Sequence, residues 1–261
     1  MEVIIRPTAQ DAVILTARIM ADALRKNPEM VFGLATGATM EAVYQELSRM
    51  YREEGLDFSN AKSFNLDEYI GLPVENENSY RYYMNKHLFN NINIKKSNTH
   101  LPNGMTEDVA GEGERYEAAI EAAGGIDLQL LGIGQDGHIG FNEPLSSLTS
   151  RTRDKSLTPA TYQQNSIYFN PPESMPRRAF TMGVGTILDA DRIVLLATGE
   201  RKANIIAKAV EGPVTSMISA SAIQFHSNAV VIVDEAAAAE LQGKEHYYWS
   251  FENEPCWDKF R

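Results

Sequence analysis

The sequence predicts an α/β fold, a single-domain, mostly parallel, Rossmann-like sheet with helices on both faces. Three observations support this. Strand-like and helix-like stretches alternate along the chain, which is typical of parallel sheets covered by helices. The 261 residues, 43% of them hydrophobic, suffice for one large core. Because no linker, repeat or low-complexity segment divides the chain, residues 1–261 are interpreted as one domain.

The elements are predicted in chain order. Residues 3–5 form a first strand, and Thr8 caps a helix with one apolar face. Residues 30–34 form a second strand, followed by an apolar helical stripe that begins at Met40 and ends near Gly55. Further strands are predicted at residues 63–66, 127–133, 180–184, 192–197 and 229–233, and further helices at 78–90, 108–123, 200–211 and 235–241.

Two regions lack a regular pattern. Residues 142–178 are expected to form a long, polar, loop-rich insertion, and such loops in compact domains often bind ligands. Residues 245–261 form an aromatic tail that is compatible with a subunit interface or with covering its own core.

Composition excludes several classes of function. A formal net charge of −11 argues against a nucleic-acid or anionic-membrane partner. The single cysteine, Cys256, rules out an internal disulfide and fits a reducing, cytoplasmic location. No signal-peptide pattern is present at the N-terminus, and no apolar run approaches the roughly 20 residues of a membrane span.

The stretch LLGIGQDGHIGFNEP, residues 130–144, resembles a dinucleotide-binding fingerprint. That fingerprint requires a helix after its third glycine, here Gly137, to hold a pyrophosphate. Gly140 and Pro144 oppose such a helix, so a nicotinamide or flavin site is not expected and no cofactor is predicted.

The loop after the second strand is a candidate anion site. Thr36, Gly37, Ala38 and Thr39 offer backbone N–H groups and hydroxyls where a helix begins, which suits a single phosphate. Lys202, in the first turn after Gly199, is a candidate phosphate partner. The alternatives are an ordinary glycine turn and a solvated surface lysine.

Two sets of residues are candidates for acid–base chemistry. Asp67 follows an apolar run, where burial would make it a general base, although a turn aspartate is the simpler interpretation. His138 lies between Asp136 and Glu143, which could hold it in one tautomer and keep it protonatable. A metal site and a structural histidine are the alternatives, and we predict no metal.

The chain resembles the glucosamine-6-phosphate deaminases, and more broadly the sugar-phosphate isomerase group that includes the 6-phosphogluconolactonases. The resemblance runs nearly end to end and rests on GLATGAT, FNLDEYIGLP, NSYRYYM, LLGIGQDGHIGFNEP, SSLTSRTR and TMGVGTIL. It implies deamination of glucosamine 6-phosphate to fructose 6-phosphate and ammonia, without a cofactor.

The resemblance also implies residue roles. His138 would open the sugar ring, oriented by Asp136 and Glu143, and Asp67 would move a proton from C2 to C1. The loop 36–39 and Lys202 would hold the phosphate.

Some members are hexamers activated by N-acetylglucosamine 6-phosphate, which implies a homo-oligomer and an effector site. Its residues would be Ser146, Arg153, Lys155 and Ser156, and Tyr248 of the tail is a further candidate. A solvated polar loop is the alternative interpretation of residues 146–156.

Two positions depart from the family pattern. Ala38 would be strained at a positive φ. Ile167 stands where the family has an arginine that contacts the substrate, so Arg177 or Arg178 could substitute, or the preferred sugar could differ. The alternatives are therefore an enzyme for another amino-sugar phosphate, such as galactosamine 6-phosphate, a sugar-phosphate-binding regulator without turnover, and, less favoured, a lactonase.

Overall fold

The computed structural model describes all of residues 1–261 except the side chain of residue 173. A sheet of seven parallel strands forms the centre of the molecule. The strands of this sheet are β1 (Glu2–Arg6), β2 (Val31–Leu34), β3 (Lys62–Asn65), β5 (Thr99–His100), β6 (Leu128–Leu131), β9 (Ile193–Ala197) and β10 (Ala229–Asp234). They lie side by side in the order β1-β10-β9-β6-β2-β3-β5.

Eight α-helices are present among the described residues. They are α1 (Ala9–Lys26), α2 (Ala38–Glu54), α3 (Tyr80–Met84), α4 (Val109–Ala122), α5 (Pro159–Ser166), α6 (Val184–Leu188), α7 (Ala203–Val210) and α8 (Lys244–Asn253). Connections between parallel strands are right-handed. The connections through α1 and α2 run one way along the sheet and those through α4 and α7 run the other way, so the two pairs lie on opposite faces. The predicted α/β architecture is confirmed.

The chain changes direction in the sheet at β6. Strands β2, β3 and β5 lie on one side of β6, and β9, β10 and β1 lie on the other. Ligands of open α/β sheets bind at the carboxyl ends of strands beside such a point. The loops after β2, β6 and β9 therefore lie close together on the side of the sheet where the carboxyl ends of the strands are.

A second, antiparallel sheet was not predicted. It contains β4 (Asp67–Tyr69), β8 (Arg178–Thr181) and β7 (Arg153–Ser156), in the order β4-β8-β7. The predicted strand 180–184 therefore belongs to this small sheet, and its end is the start of α6. Residues 142–178 are less irregular than expected, because they contain β7 and α5.

The predicted helix at residues 235–241 is wrong, since residues 235–240 form turns. The tail instead contains α8 and a 3-10 helix, Pro255–Phe260. Phe251, Trp257 and Phe260 are buried in the main core, so the tail covers its own chain. Among the described residues, no helix is long and apolar enough to cross a membrane.

Candidate active site

A cavity of about 930 Å³ opens above the carboxyl ends of β2, β6 and β9. Its wall contains seven of the predicted site residues, which come from four separate segments of the chain: Thr36, Gly37, Ala38, Thr39, Asp67, His138 and Lys202. The structure therefore brings the candidate phosphate loop, the candidate base and the candidate histidine to one space.

The loop after β2 is built around Gly37. This residue has a φ of 110°, a conformation that favours glycine, while Ala38 is the first residue of α2. The expected strain at Ala38 is therefore wrong, because the positive φ falls one residue earlier. The hydroxyl of Tyr83 donates to the carbonyl oxygen of Gly37 over 2.8 Å and fixes the loop from the side of α3.

Lys202 reaches the cavity from the turn after β9. Gly199 begins this turn with a φ of 88°, and a 3-10 helix, Glu200–Lys202, leads into α7. The Lys202 ammonium donates to the carbonyl oxygen of Ile133 over 2.6 Å, and Ile133 lies just after the end of β6. Burial lowers the pKa of Lys202 below its usual value, and Asp136 partly opposes this effect.

Asp67 is the first residue of β4 and pairs with Thr181 of β8. It is only 6% exposed, and no described residue donates a hydrogen bond to its carboxylate. Burial raises its pKa to about 8, the charge of Glu68 adds to this, and His138 partly opposes it. A carboxyl group with such a pKa is suited to general-base chemistry near neutral pH.

The neighbouring Glu68 has a different environment. It is also buried, but its carboxylate accepts backbone N–H groups of Tyr69, Tyr80 and Arg81, each at 2.9 Å. Two of these groups belong to the first turn of α3. Glu68 therefore ties α3, whose Tyr80 lines the cavity, to the strand that carries Asp67.

His138 is held by the two predicted carboxylates. Its Nδ1 lies 2.7 Å from Oδ1 of Asp136 and 3.6 Å from Oε2 of Glu143. Burial lowers the pKa of His138, but the two carboxylates more than offset this and the net value is about 9. A Cβ at Gly134 would lie 2.6 Å from Nε2, so this glycine leaves room for the second ring nitrogen.

The cavity wall contains His138 itself, whereas Asp136 and Glu143 contact it on the Nδ1 side. These two residues are therefore placed to position and charge the imidazole. The three groups lie within 4.8 Å of one another, as metal ligands would. However, 2.7 Å between Nδ1 and Asp136 is a direct ion-pair distance, shorter than the ~3.3 Å between ligands of a tetrahedral ion.

The predicted effector residues lie beside the small sheet. Ser146 is buried, and among the described residues its hydroxyl has no hydrogen-bond partner. Arg153, Lys155 and Ser156 belong to β7, and the Arg153 guanidinium donates to Oδ1 of Asn142 over 2.7 Å. Tyr248 instead bonds to Glu235, after β10.

Neither arginine suggested as a substitute for the missing family arginine contributes to the cavity wall. The Arg177 guanidinium lies 4.6 Å from the centre of the Tyr162 ring, and Arg178 pairs with Asp154. Ile167 is 72% exposed at the end of α5 and also lies outside the wall.

Sequence reasoning missed several residues of the wall: Tyr69, Tyr80, Tyr83, Lys86, Asn165 and Arg201. The motif NSYRYYM, which contains two of these tyrosines, pointed to its helix but not to the direction of the side chains. Arg201 lies beside Lys202 in the segment LLATGERKA, but the sequence alone did not show that both of these basic side chains reach the cavity.

Known proteins resemble this chain over most of its length. The family model described as glucosamine-6-phosphate isomerases/6-phosphogluconolactonase matches residues 6–232. The chain is 49% identical to a glucosamine-6-phosphate deaminase of Shewanella loihica over 247 residues, which cover 95% of this chain and 92% of the relative. It is 45% identical to that of Rhodococcus jostii over 260 residues, covering 100% of both.

Solved structures give the same result. A monomeric glucosamine-6-phosphate deaminase superposes with a TM-score of 0.90 at 43% identity, covering 92% of this chain and all of that one (100%). A 6-phosphogluconolactonase from Trypanosoma cruzi, with a TM-score of 0.73 and 18% identity over 92% of this chain and 97% of that one, shares the fold. The chain therefore belongs to the glucosamine-6-phosphate isomerase/6-phosphogluconolactonase family.

Proposed function

We propose that this protein deaminates glucosamine 6-phosphate, giving fructose 6-phosphate and ammonia. The observation that carries the proposal is the shared cavity, in which a buried carboxyl group, Asp67, and a carboxylate-held imidazole, His138, lie with an anion-binding loop. The relatives that share the fold and nearly the whole length are named for this reaction.

The reaction begins with opening of the sugar ring. The His138 imidazolium donates a proton to the ring oxygen and takes up the proton of the anomeric hydroxyl, so the C1–O5 bond breaks, an aldehyde forms at C1 and His138 returns to its protonated form. Asp136 and Glu143 stabilise the protonated imidazole during this relay, as their distances from Nδ1 support.

The aldehyde makes the C2 proton acidic. The Asp67 carboxylate removes this proton, the electron pair of the C2–H bond forms the C1–C2 double bond, and the electron pair of the C1–O1 double bond moves to O1, which takes a proton from solvent to give an enolamine. Asp67 then returns its proton to C1, and the C2 nitrogen loses a proton to solvent, which leaves an imine at C2. Water adds to the imine carbon, ammonia leaves, and the C2 ketone of fructose 6-phosphate remains.

The phosphate holds the sugar in place for these steps. The N–H groups at the start of α2, the hydroxyls of Thr36 and Thr39 and the Lys202 ammonium offer donors to one anion. Binding energy from this non-reacting group positions C1 and C2 beside Asp67 and His138.

The test is release of ammonia and fructose 6-phosphate from glucosamine 6-phosphate by the purified protein. Asp67→Asn should lower kcat by about 10²–10⁴-fold, because positioned acid–base groups contribute that much. Retention of most activity by Asp67→Asn would contradict the assignment of the base. Galactosamine 6-phosphate, assayed in parallel, decides which epimer is preferred, and binding without turnover would support a regulator.

Regulation and assembly are further parts of the proposal. Arg153 contacts Asn142, the neighbour of Glu143, which supports an effector site that includes Ser146, Arg153, Lys155 and Ser156. Activity with and without N-acetylglucosamine 6-phosphate tests it. Assembly as a homo-oligomer remains a prediction, to be checked by light scattering, and the solved relative is described as monomeric. A cytoplasmic location is proposed from the single cysteine.

A further inference from the structure

The phosphate site faces an unfavourable electrostatic environment. A phosphate ester carries about −1.5 to −2 charges at pH 7, and the chain has a formal net charge of −11. The cavity wall itself contains the acidic residues Glu41, Glu77 and Glu200 in addition to Asp67. A sugar phosphate held here therefore needs more than one cation.

Lys202 alone is a weak source of positive charge. Its ammonium already donates to the Ile133 carbonyl oxygen over 2.6 Å, and burial lowers its pKa. The loop 36–39 contributes donors but no formal charge. A second cation must come from the remaining residues of the wall.

Two further cations line the cavity, Lys86 and Arg201. Arg201 is exposed, and no described residue forms an ion pair or a hydrogen bond with its guanidinium. A guanidinium at a cavity wall without a protein partner has its donors available for a ligand.

The backbone that carries Arg201 is fixed. The buried Asp234 accepts the Gly199 N–H through both carboxylate oxygens, at 2.9 and 3.2 Å, and so anchors the turn that precedes the 3-10 helix Glu200–Lys202. Arg201 and Lys202 are consecutive in that helix. Their side chains therefore reach the cavity from one rigid support.

We propose that Arg201 is the second phosphate-binding cation of this site, contacting the phosphoryl oxygens of the substrate together with Lys202. The inference rests on the proposed function for the identity of the substrate. It also explains how the chain can have Ile167 at an exposed position outside the wall, since a guanidinium is supplied from the turn after β9.

Lys86 is the less suitable of the two. It belongs to a π-helix, Asn85–Phe89, that packs against α2, and Glu41 in the first turn of α2 lies within 4.0 Å of His87 on that same π-helix. The acidic neighbour reduces the positive potential near Lys86. A planar guanidinium also binds two phosphoryl oxygens at once, which an ammonium does not.

The test compares Arg201→Gln with the wild-type chain by two measurements. Calorimetry with inorganic phosphate should show affinity reduced about 10- to 100-fold, the loss expected for a charge-assisted contact. KM for glucosamine 6-phosphate should rise by a similar factor while kcat changes little, because the contact is present in ground and transition states alike. Arg201→Lys should restore part of both losses.

Arg178→Gln is the matched control, because it removes the same charge from a guanidinium paired with Asp154 outside the cavity. It should leave phosphate affinity unchanged. Lys86→Gln should have a smaller effect than Arg201→Gln.

Unchanged phosphate affinity in Arg201→Gln, or a larger loss in either of the other variants, would overturn the inference. If the wild-type chain binds no phosphate, both the phosphate site and the proposed role of Arg201 are refuted. Phosphate binding does not require turnover. Failure to release ammonia would therefore refute the proposed reaction without deciding the role of Arg201.

Discussion

Asp67 and His138 line one cavity with pKa values of about 8 and about 9. The base must be ionised and the acid protonated, so Asp67 is inactive below its pKa and His138 is inactive above its own. We expect kcat/KM to rise with pH through about 8 and to fall above about 9, in a narrow bell-shaped profile. Because the two groups interact, the midpoints of the two limbs give apparent pKa values of the coupled pair and not of either residue alone. A profile that is flat from pH 6 to 10 would contradict this assignment.

Asp136→Asn should move the alkaline limb of that profile to lower pH. The Asp136 carboxylate, 2.7 Å from Nδ1, favours the protonated imidazole, and its loss should lower the pKa of His138 by about 1–3 units. The pH dependence of kcat/KM measures the shift. Asp154→Asn, in an ion pair with Arg178 outside the cavity, is the control and should leave the limb in place. A uniform loss of activity at every pH would indicate a structural role alone.

Asp67→Asn should stabilise the fold while it removes activity. A carboxyl group whose pKa rises from 3.8 to about 8 on folding favours the folded state only when protonated. That contribution is complete below pH 3.8 and is lost as pH rises toward 8. The Asp67→Asn variant avoids the cost of burying a carboxylate, so we expect it to have a higher Tm than the wild-type chain at pH 8. Each kcal/mol gained in the free energy of unfolding should raise Tm by about 2–4 °C, and the rise in Tm should be smaller at pH 5. Equal Tm values of the two proteins at pH 8 would show that the buried Asp67 carboxylate does not destabilise the fold.

Tyr83→Phe should weaken substrate binding. The Tyr83 hydroxyl donates to Gly37 at the turn of the phosphate loop, and loss of one such bond costs about 1 kcal/mol. KM should therefore rise roughly fivefold, with kcat less affected. Tyr82→Phe on the same helix is the control, since its hydroxyl makes no hydrogen bond among the described residues. Identical KM values for the two variants would show that the bond does not shape the loop.

The candidate site was more predictable than the region around it. Asp136, His138 and Glu143 lie in one short segment, so their contact follows from chain connectivity. Thr36 to Thr39 and Lys202 follow strands of a parallel sheet, whose carboxyl ends share one edge. Their meeting with Asp67 could be expected for the same reason, without knowledge of the distances.

The small sheet could not be predicted in this way. Strand β7 has the sequence RDKS, which has no apolar alternation, and it exists only because β8 pairs with it. Glu68 accepts N–H groups from Tyr80 and Arg81 of α3, and nothing in the sequence around Glu68 predicted this contact. Such contacts depend on tertiary packing rather than on local pattern.

Residues 235–241 show the opposite error. Their alanine-rich composition favours a helix, but they form turns, in which Asp234 accepts the Ala237 N–H over 2.8 Å. The structure of these residues is therefore determined by the tertiary connection between β10 and α8 and not by local helix propensity.

Strand β1 lies at the edge of the large sheet, and its partner there is β10. During synthesis, β1 must therefore remain unpaired until β10, which follows it with eight other strands between them, has been made. This long-range pairing raises the contact order of the fold and is expected to slow its final step.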